Sequence, residues 1–279
     1  MPTFDFSQVD VFAPDPLTGN PVAVVHDADA LSDDTMAAFA RWTNLSETTF
    51  LLRPTDPSAD YRLRIFTPGG ELPFAGHPTL GSAHAWLERG GVPAVAGRVV
   101  QECGIGLIEL RRDGARLAFK APALLRSGPV ESVLAASVCA ALAIAPADVL
   151  AMNWIDNGPN WIGVVLRSAG EVLAVRPDFS AMGEMKIGII GAHPAGGPAD
   201  YEVRAFAPGV SVVEDPVTGS LNAGFAVWLT RAGMVPPSYS VRQGTALGRR
   251  GDVHITTDDA GDVWVGGVST TLISGTLTI

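Results

Sequence analysis

Two short stretches place reactive side chains where a long uncharged segment begins. Gly76-His77-Pro78 opens one with no Asp, Glu, Lys or Arg from Gly76 through Leu87. Asp215-Pro216-Val217-Thr218-Gly219-Ser220 opens another, with none from Pro216 through Thr230. A helix N-terminus carries unsatisfied N–H groups and the positive end of the dipole, so both starts suit an anion. His77 can carry a proton or orient a hydrogen bond, and Asp215 can hold or polarise a partner. Glu47, in Asn44-Leu45-Ser46-Glu47-Thr48-Thr49-Phe50, stands at the entry to an apolar strand, where a carboxylate is costly unless paired or functional. Singly, each residue has a plainer use. Glu47 and Asp215 can be caps or surface carboxylates, His77 a satisfied histidine at a helix start, and the Gly and Pro residues turn formers. As a pair, two electropositive helix ends meeting in one cleft would hold a small carboxylate-bearing molecule.

Other chemistries fit less well. His77 and His84 share a helix face but lie two turns apart, roughly 10 Å at 1.5 Å per residue, too far for one metal ion. No Cys or His pair shows zinc spacing. No Gly-x-Gly-x-x-Gly follows a strand and no phosphate-loop lysine motif occurs, so no nucleotide is called for. A hydrolase built on Ser220, His77 and Asp215 is conceivable, but Thr218-Gly219-Ser220-Leu221-Asn222 lacks the nucleophile elbow Gly-x-Ser-x-Gly.

The elements that must position these residues come in two copies. Residues 64–92 and 203–235 both run from Arg-x-Phe-x-Pro-Gly, through a Gly/Pro turn, to Trp-Leu-x-Arg-(Gly/Ala)-Gly. The period is about 140 residues, the size of one ordinary domain. An uncharged helix should be enclosed on nearly every side. The small residues Gly81, Ser82, Ala83 and Ala85, and Ala223, Gly224 and Ala226, would let a sheet close tightly around each. The expected fold is therefore α+β, two similar lobes, each a curved, barrel-like sheet around a central helix. The lobes are drawn as 1–121, to which strand 269–279 can return, and 122–268. Strands are expected over Phe4–Phe12, Val22–His26, Thr48–Leu52, Tyr61–Thr67, Arg98–Glu102, Leu107–Arg111 and Arg116–Lys120. In the second half they are expected over Trp161–Leu166, Val172–Val175, Tyr201–Ala207, around Val241, and over Val253–Thr257, Val263–Val265 and Thr271–Ile279. Further helices are expected over Asp33–Trp42, capped by Ser32, and Val130–Leu142.

Composition narrows the setting. The chain has 279 residues, 47% hydrophobic and 17% charged, which suits a packed globular protein. Net charge is 19 − 29 = −10, which repels phosphate backbones and anionic lipid; neither nucleic-acid nor membrane binding is expected. Cys103 and Cys139 read as small buried hydrophobes in a reducing compartment. The first ten residues show no basic or apolar signal region, and the apolar run Val133–Ala145 is too short to span a bilayer. A cytoplasmic location is the expectation.

Five motifs carry a family resemblance. VDVFAPDPLTGNPVAVV, NLSETTFLL, TPGGELPFAGHPTLGSAHAWL, FAPGVSVVEDPVTGSLNAGFAVWL and RQGTALGRRG resemble the successive motifs of the PhzF-like (phenazine biosynthesis-like) family, essentially along the whole chain. The resemblance implies the diaminopimelate-epimerase-like fold, with the active site between two similar lobes. It also implies Glu47 as acid/base, His77 and Asp215 as catalytic partners, and Gly76, Gly219 and Ser220 holding a substrate carboxylate. The cysteine pair that racemises amino acids in relatives of that fold is absent, Gly76-His77 and Gly219-Ser220 standing at those stations. The implied reaction is cofactor-free isomerisation or epimerisation by proton transfer, in a family where homodimers are common. The alternatives are a small-molecule-binding protein on the same fold that has lost its chemistry, and the Ser220 hydrolase. After Ser220, Leu221-Asn222 replaces two small residues of the commoner family pattern.

Overall fold

The computed structural model describes residues 1–210 and 212–279; Ser211, inside the second copy of the repeated motif, lies outside them. The chain divides into two compact units, Met1–Lys120 with Gly266–Ile279, and Ala121–Val265.

The first unit contains β1 (Thr3–Val11), β2 (Asn20–Val25), β3 (Thr48–Leu52), β4 (Tyr61–Thr67), β5 (Gly70–Leu72), β6 (Arg98–Cys103), β7 (Gly106–Asp113) and β8 (Arg116–Lys120). Its helices are α1 (Asp33–Thr43) and α2 (Gly76–Glu88). Pairing runs β1–β2 antiparallel, β2–β3 parallel, β3–β4 antiparallel, β4–β6 parallel, then β6–β7 and β7–β8 antiparallel. The last strand of the chain pairs with β1, from Thr3 opposite Thr278 to Val11 opposite Ser269, and also with β8, closing an eight-stranded barrel. The short β5 is a hairpin partner of β4 outside that ring.

Helix α2 runs through the barrel and touches β1, β2, β3, β4, β6 and β8. Gly76 through Ala83, and Ala85, are buried, which the absence of charge makes tolerable. Gly81 is required by close approach: a Cβ there would come within 2.8 Å of Val11 Cγ2 and closer still to Val22 Cγ1. A second apolar layer lies outside the barrel, where α1 lays Met36, Phe39 and Ala40 against Phe4, Val25, Phe50 and Phe66. Ser32 caps α1, its Oγ accepting from Thr35 N at 3.3 Å, with Asp33 and Asp34 in the first turn.

The second unit contains β9 (Arg126–Pro129), β10 (Ala151–Asp156), β11 (Trp161–Val165), β12 (Lys186–Ala192), β13 (Tyr201–Ala207), β14 (Val212–Asp215), β15 (Ser238–Gln243) and β16 (Gly251–Thr257). Its helices are α3 (Ser132–Leu142), α4 (Ala169–Ala174), α5 (Phe179–Met182) and α6 (Gly219–Arg231). From β10 to β16 the strands repeat the order of directions of β1 to β7: antiparallel β10–β11, parallel β11–β12, antiparallel β12–β13, a hairpin β14, parallel β13–β15 and antiparallel β15–β16. The internal duplication is thus present in the hydrogen-bond ladder as well as in the motifs. Helix α6 is buried from Gly219 through Val227 and again at Leu229. Gly224, its sixth residue as Gly81 is of α2, has no room for a Cβ, which would lie 2.6 Å from Ile155 O. Helices α3, α4 and α5 cover the outer face, packing Val138, Leu142, Val172 and Met182 against Ile187, Ile189 and Phe206.

Two expectations need correction. Val172–Val175 is no strand: Ala169–Ala174 is helical. Ser168 Oγ accepts from Glu171 N at 3.2 Å and Glu171 Oε2 accepts from Arg167 N at 2.9 Å, a capping arrangement that outweighs β-branched composition. The terminal segments Val263–Val265 and Thr271–Ile279 are one strand, β17 (Val263–Thr278), which leaves the second unit and enters the first. It runs unbroken past Gly266, where a Cβ would meet Leu117 O at 2.9 Å.

Candidate active site

In the first unit three elements bring side chains to the start of α2. Ala75 is the N-cap and offers no side-chain acceptor, so Gly76 and His77 occupy the first turn without a side-chain cap. Pro78 is the third helical residue, not the first as a proline start suggests; within the first turn its missing N–H still costs nothing. Glu47 immediately precedes β3, and β3 is tied to the helix by Thr49 Oγ1, which lies 2.9 Å from Ser82 Oγ and donates to Ala23 O at 3.1 Å. That anchoring brings Glu47 Oε2 to 3.4 Å from His77 Nε2, with 15% of the Glu47 side chain exposed.

His77 is held on its other side by β2. Its Nδ1 is 3.4 Å from Nδ2 of Asn20, the first residue of that strand, and the ring also hydrogen-bonds the Pro21 backbone. Proline has no N–H, so the imidazole donates to the Pro21 carbonyl. Burial pushes the His77 pKa down to about 3 against that bond, so the ring is neutral near pH 7. The neutral ring carries one N–H and one lone pair, and Nε2 is the nitrogen that faces Glu47. Asp10, buried on β1, accepts from Thr18 N at 3.1 Å and fixes the loop that delivers Asn20.

In the second unit the start of α6 is organised by a different set. Thr218 is the N-cap but its hydroxyl is diverted, donating to Asp215 Oδ2 at 2.6 Å and accepting from Gln243 Nε2 at 2.9 Å. Asp215 ends β14 and serves as a third party to the cap rather than as the cap. Gln243 accepts at Oε1 from Thr218 N at 3.1 Å and from Asn222 Nδ2 at 2.9 Å. Ser220 Oγ accepts from Trp161 Nε1 at 3.1 Å, and Ser220 O from Asn157 Nδ2 at 2.8 Å.

The structure therefore brings Glu47 and His77 into contact, sets Gly76 and Gly219 at the first position of the two enclosed helices, and links Asp215 to Thr218. It gives Ser220 an indole donor, where a nucleophilic serine needs a base. Asn20, Thr218, Trp161, Asn157 and Gln243 are site neighbours that sequence reading missed. Asn20 and Gln243 stood inside quoted motifs, TGNP and RQG, yet nothing local marked their partners. The Leu221-Asn222 substitution also finds its place. Leu221 packs into the space left by Gly188, whose added Cβ would be 2.6 Å from Leu221 Cδ2, and Asn222 is the buried clamp on Gln243.

Comparison with known proteins settles the lineage. Residues 9–275 match the family described as phenazine biosynthesis-like protein, PhzC-PhzF. The chain belongs to that family. Within it, the chain is 39% identical to antisense-enhancing sequence 1 of Schizosaccharomyces pombe, covering 99% of each protein. It is 35% identical to trans-2,3-dihydro-3-hydroxyanthranilate isomerase of Pseudomonas aeruginosa, covering 91% of this chain and 90% of the relative. The PhzF-family crystal structure from Enterococcus faecalis superposes with a TM-score of 0.81 at 24% identity, over 100% of both chains. The fold of this family member is the diaminopimelate-epimerase-like one, α+β, with two similar lobes each wrapped around a helix. No helix among the described residues is long and apolar enough to cross a membrane.

Proposed function

We propose that this PhzF-family protein is an isomerase that moves a proton within a small carboxylate-bearing substrate, with Glu47 as the acid/base. Two curated relatives of the chain carry isomerase names, one of them for trans-2,3-dihydro-3-hydroxyanthranilate. The observation that carries the reading is the Glu47 carboxylate 3.4 Å from a buried, neutral His77. In the base form, Glu47 takes a proton from a carbon adjacent to an unsaturated or carbonyl system. The electron pair left behind delocalises, and the Glu47 carboxylic acid returns a proton at another carbon of the same system. No electron is gained or lost overall, and the step calls on no cofactor.

His77 is suited to steady that cycle. Its Nε2 lies 3.4 Å from the Glu47 carboxyl, and its low basicity keeps the proton on that carboxyl. The first-turn N–H groups of α2 at Gly76, and those of α6 at Gly219-Ser220, are each proposed as a helix start suited to a carboxylate. Asp215 is proposed to orient the start of α6 through Thr218. The test is Glu47→Gln assayed on a panel of carboxylates headed by trans-2,3-dihydro-3-hydroxyanthranilate. The expected result is a native circular dichroism spectrum with kcat reduced by about 10²-fold or more. Turnover at the unsubstituted rate removes Glu47 from the mechanism.

A further inference from the structure

The two enclosed helices share a device at their second residue. In the first unit that residue is His77, approached by Asn20 Nδ2 at 3.4 Å. In the second it is Ser220, whose Oγ accepts from Trp161 Nε1 at 3.1 Å. Asn20 and Trp161 are each the first residue of corresponding strands, β2 and β11. The duplication has kept the geometry and changed the chemistry. His77 presents an imidazole nitrogen, Nε2, to Glu47 at 3.4 Å. Ser220 presents a hydroxyl. An indole N–H can only donate, so the bond from Trp161 occupies a lone pair of Oγ and leaves the single hydroxyl proton uncommitted to the indole.

The grip on Ser220 is double. Its carbonyl accepts from Asn157 Nδ2 at 2.8 Å, so the loop from β10 to β11 holds the residue at its backbone and at its hydroxyl. That loop is itself braced by Asp156 Oδ1, which accepts from Gly158 N and Asn160 N at 2.7 Å each. Trp161 and Asn157 are each 4% exposed, so neither bond competes with bulk water.

We infer that Trp161 is a positioning residue for Ser220: by donating to one lone pair of Oγ it fixes the orientation in which the hydroxyl meets the substrate. The inference rests on the proposed function in treating Ser220 as a substrate contact. It adds Trp161 as the residue that fixes the orientation of that contact.

The test measures binding of trans-2,3-dihydro-3-hydroxyanthranilate by titration calorimetry to the full chain carrying Glu47→Gln, which prevents turnover. Into it are placed Ser220→Ala, Trp161→Phe, or both. Ser220→Ala is expected to weaken binding about tenfold or more, as befits a hydrogen bond to a charged group, and Trp161→Phe about threefold or more. The double substitution should be no weaker than Ser220→Ala alone, because without the hydroxyl the indole has nothing to orient. Loss of packing at Trp161 would weaken both backgrounds by the same factor, and that additivity overturns the inference, as does unchanged binding in Trp161→Phe. No binding by Glu47→Gln with Ser220 and Trp161 intact, across benzoate and anthranilate as well, overturns the proposed function and this inference together.

Discussion

The burial of His77 sets a pH dependence that can be worked through numerically. The ring is 3% exposed, and burial lowers its pKa from 6.5 to about 3. As pH falls below 6.5 the unfolded chain takes up a proton that the folded chain refuses, so the unfolded state binds more protons and stability drops with acidification. The contribution is fully present above pH 6.5 and is lost progressively as pH falls toward 3. Between pH 7.5 and pH 5 the loss from this one group is about 2 kcal/mol, since each unit of difference in proton uptake is worth about 1.4 kcal/mol per pH unit. His26, lowered to about 4 chiefly by burial, acts in the same direction. His77→Gln removes the first contribution and leaves the second. Urea unfolding of both proteins from pH 7.5 to pH 5 should show the stability of the unsubstituted chain falling by about 2 kcal/mol more than that of His77→Gln. Parallel curves would refute the claim that His77 is held neutral by its enclosure.

Three further outcomes are expected. Gly81→Ala should destabilise the first unit by about 1–3 kcal/mol in a thermal or urea melt, because the new methyl group has no space between Val11 and Val22. Asp215→Asn keeps an acceptor for the Thr218 hydroxyl but removes the charge. It should lower kcat/KM about tenfold or more while moving the unfolding free energy by less than about 1 kcal/mol. A serine-directed fluorophosphonate should leave the protein unlabelled by mass spectrometry, because Ser220 Oγ faces an indole donor instead of a base.

The parts of this structure legible in the sequence are those with a local cause. Uncharged runs from Gly76 and from Pro216 mark helices buried on all sides, because no charged face is present to meet water. Alternation marks Tyr61–Thr67 and turn residues bound Arg116–Lys120, both of which form as strands over those limits. The Ser168-to-Glu171 spacing is a capping signal, and it outweighs the strand preference of Val172 and Val175. Strands β10 and β12 were missed, since their segments carry Asn, Asp and Gly among the apolar residues and gain their character from neighbours across the sheet. The supporting shell of the site was illegible for a related reason. Asn20 meets His77 across 57 residues of chain, and Trp161 meets Ser220 across 59. Such contacts exist only once the barrel positions both strands, and no local pattern encodes them.

Proton transfer through Glu47 is tested most directly by isotope. The protein and trans-2,3-dihydro-3-hydroxyanthranilate, with other small carboxylates alongside, are incubated in heavy water and the products weighed by mass spectrometry. The expected result is a gain of one mass unit with the unsubstituted chain and none above the uncatalysed background with Glu47→Gln. Equal deuterium uptake by the two proteins would contradict the account.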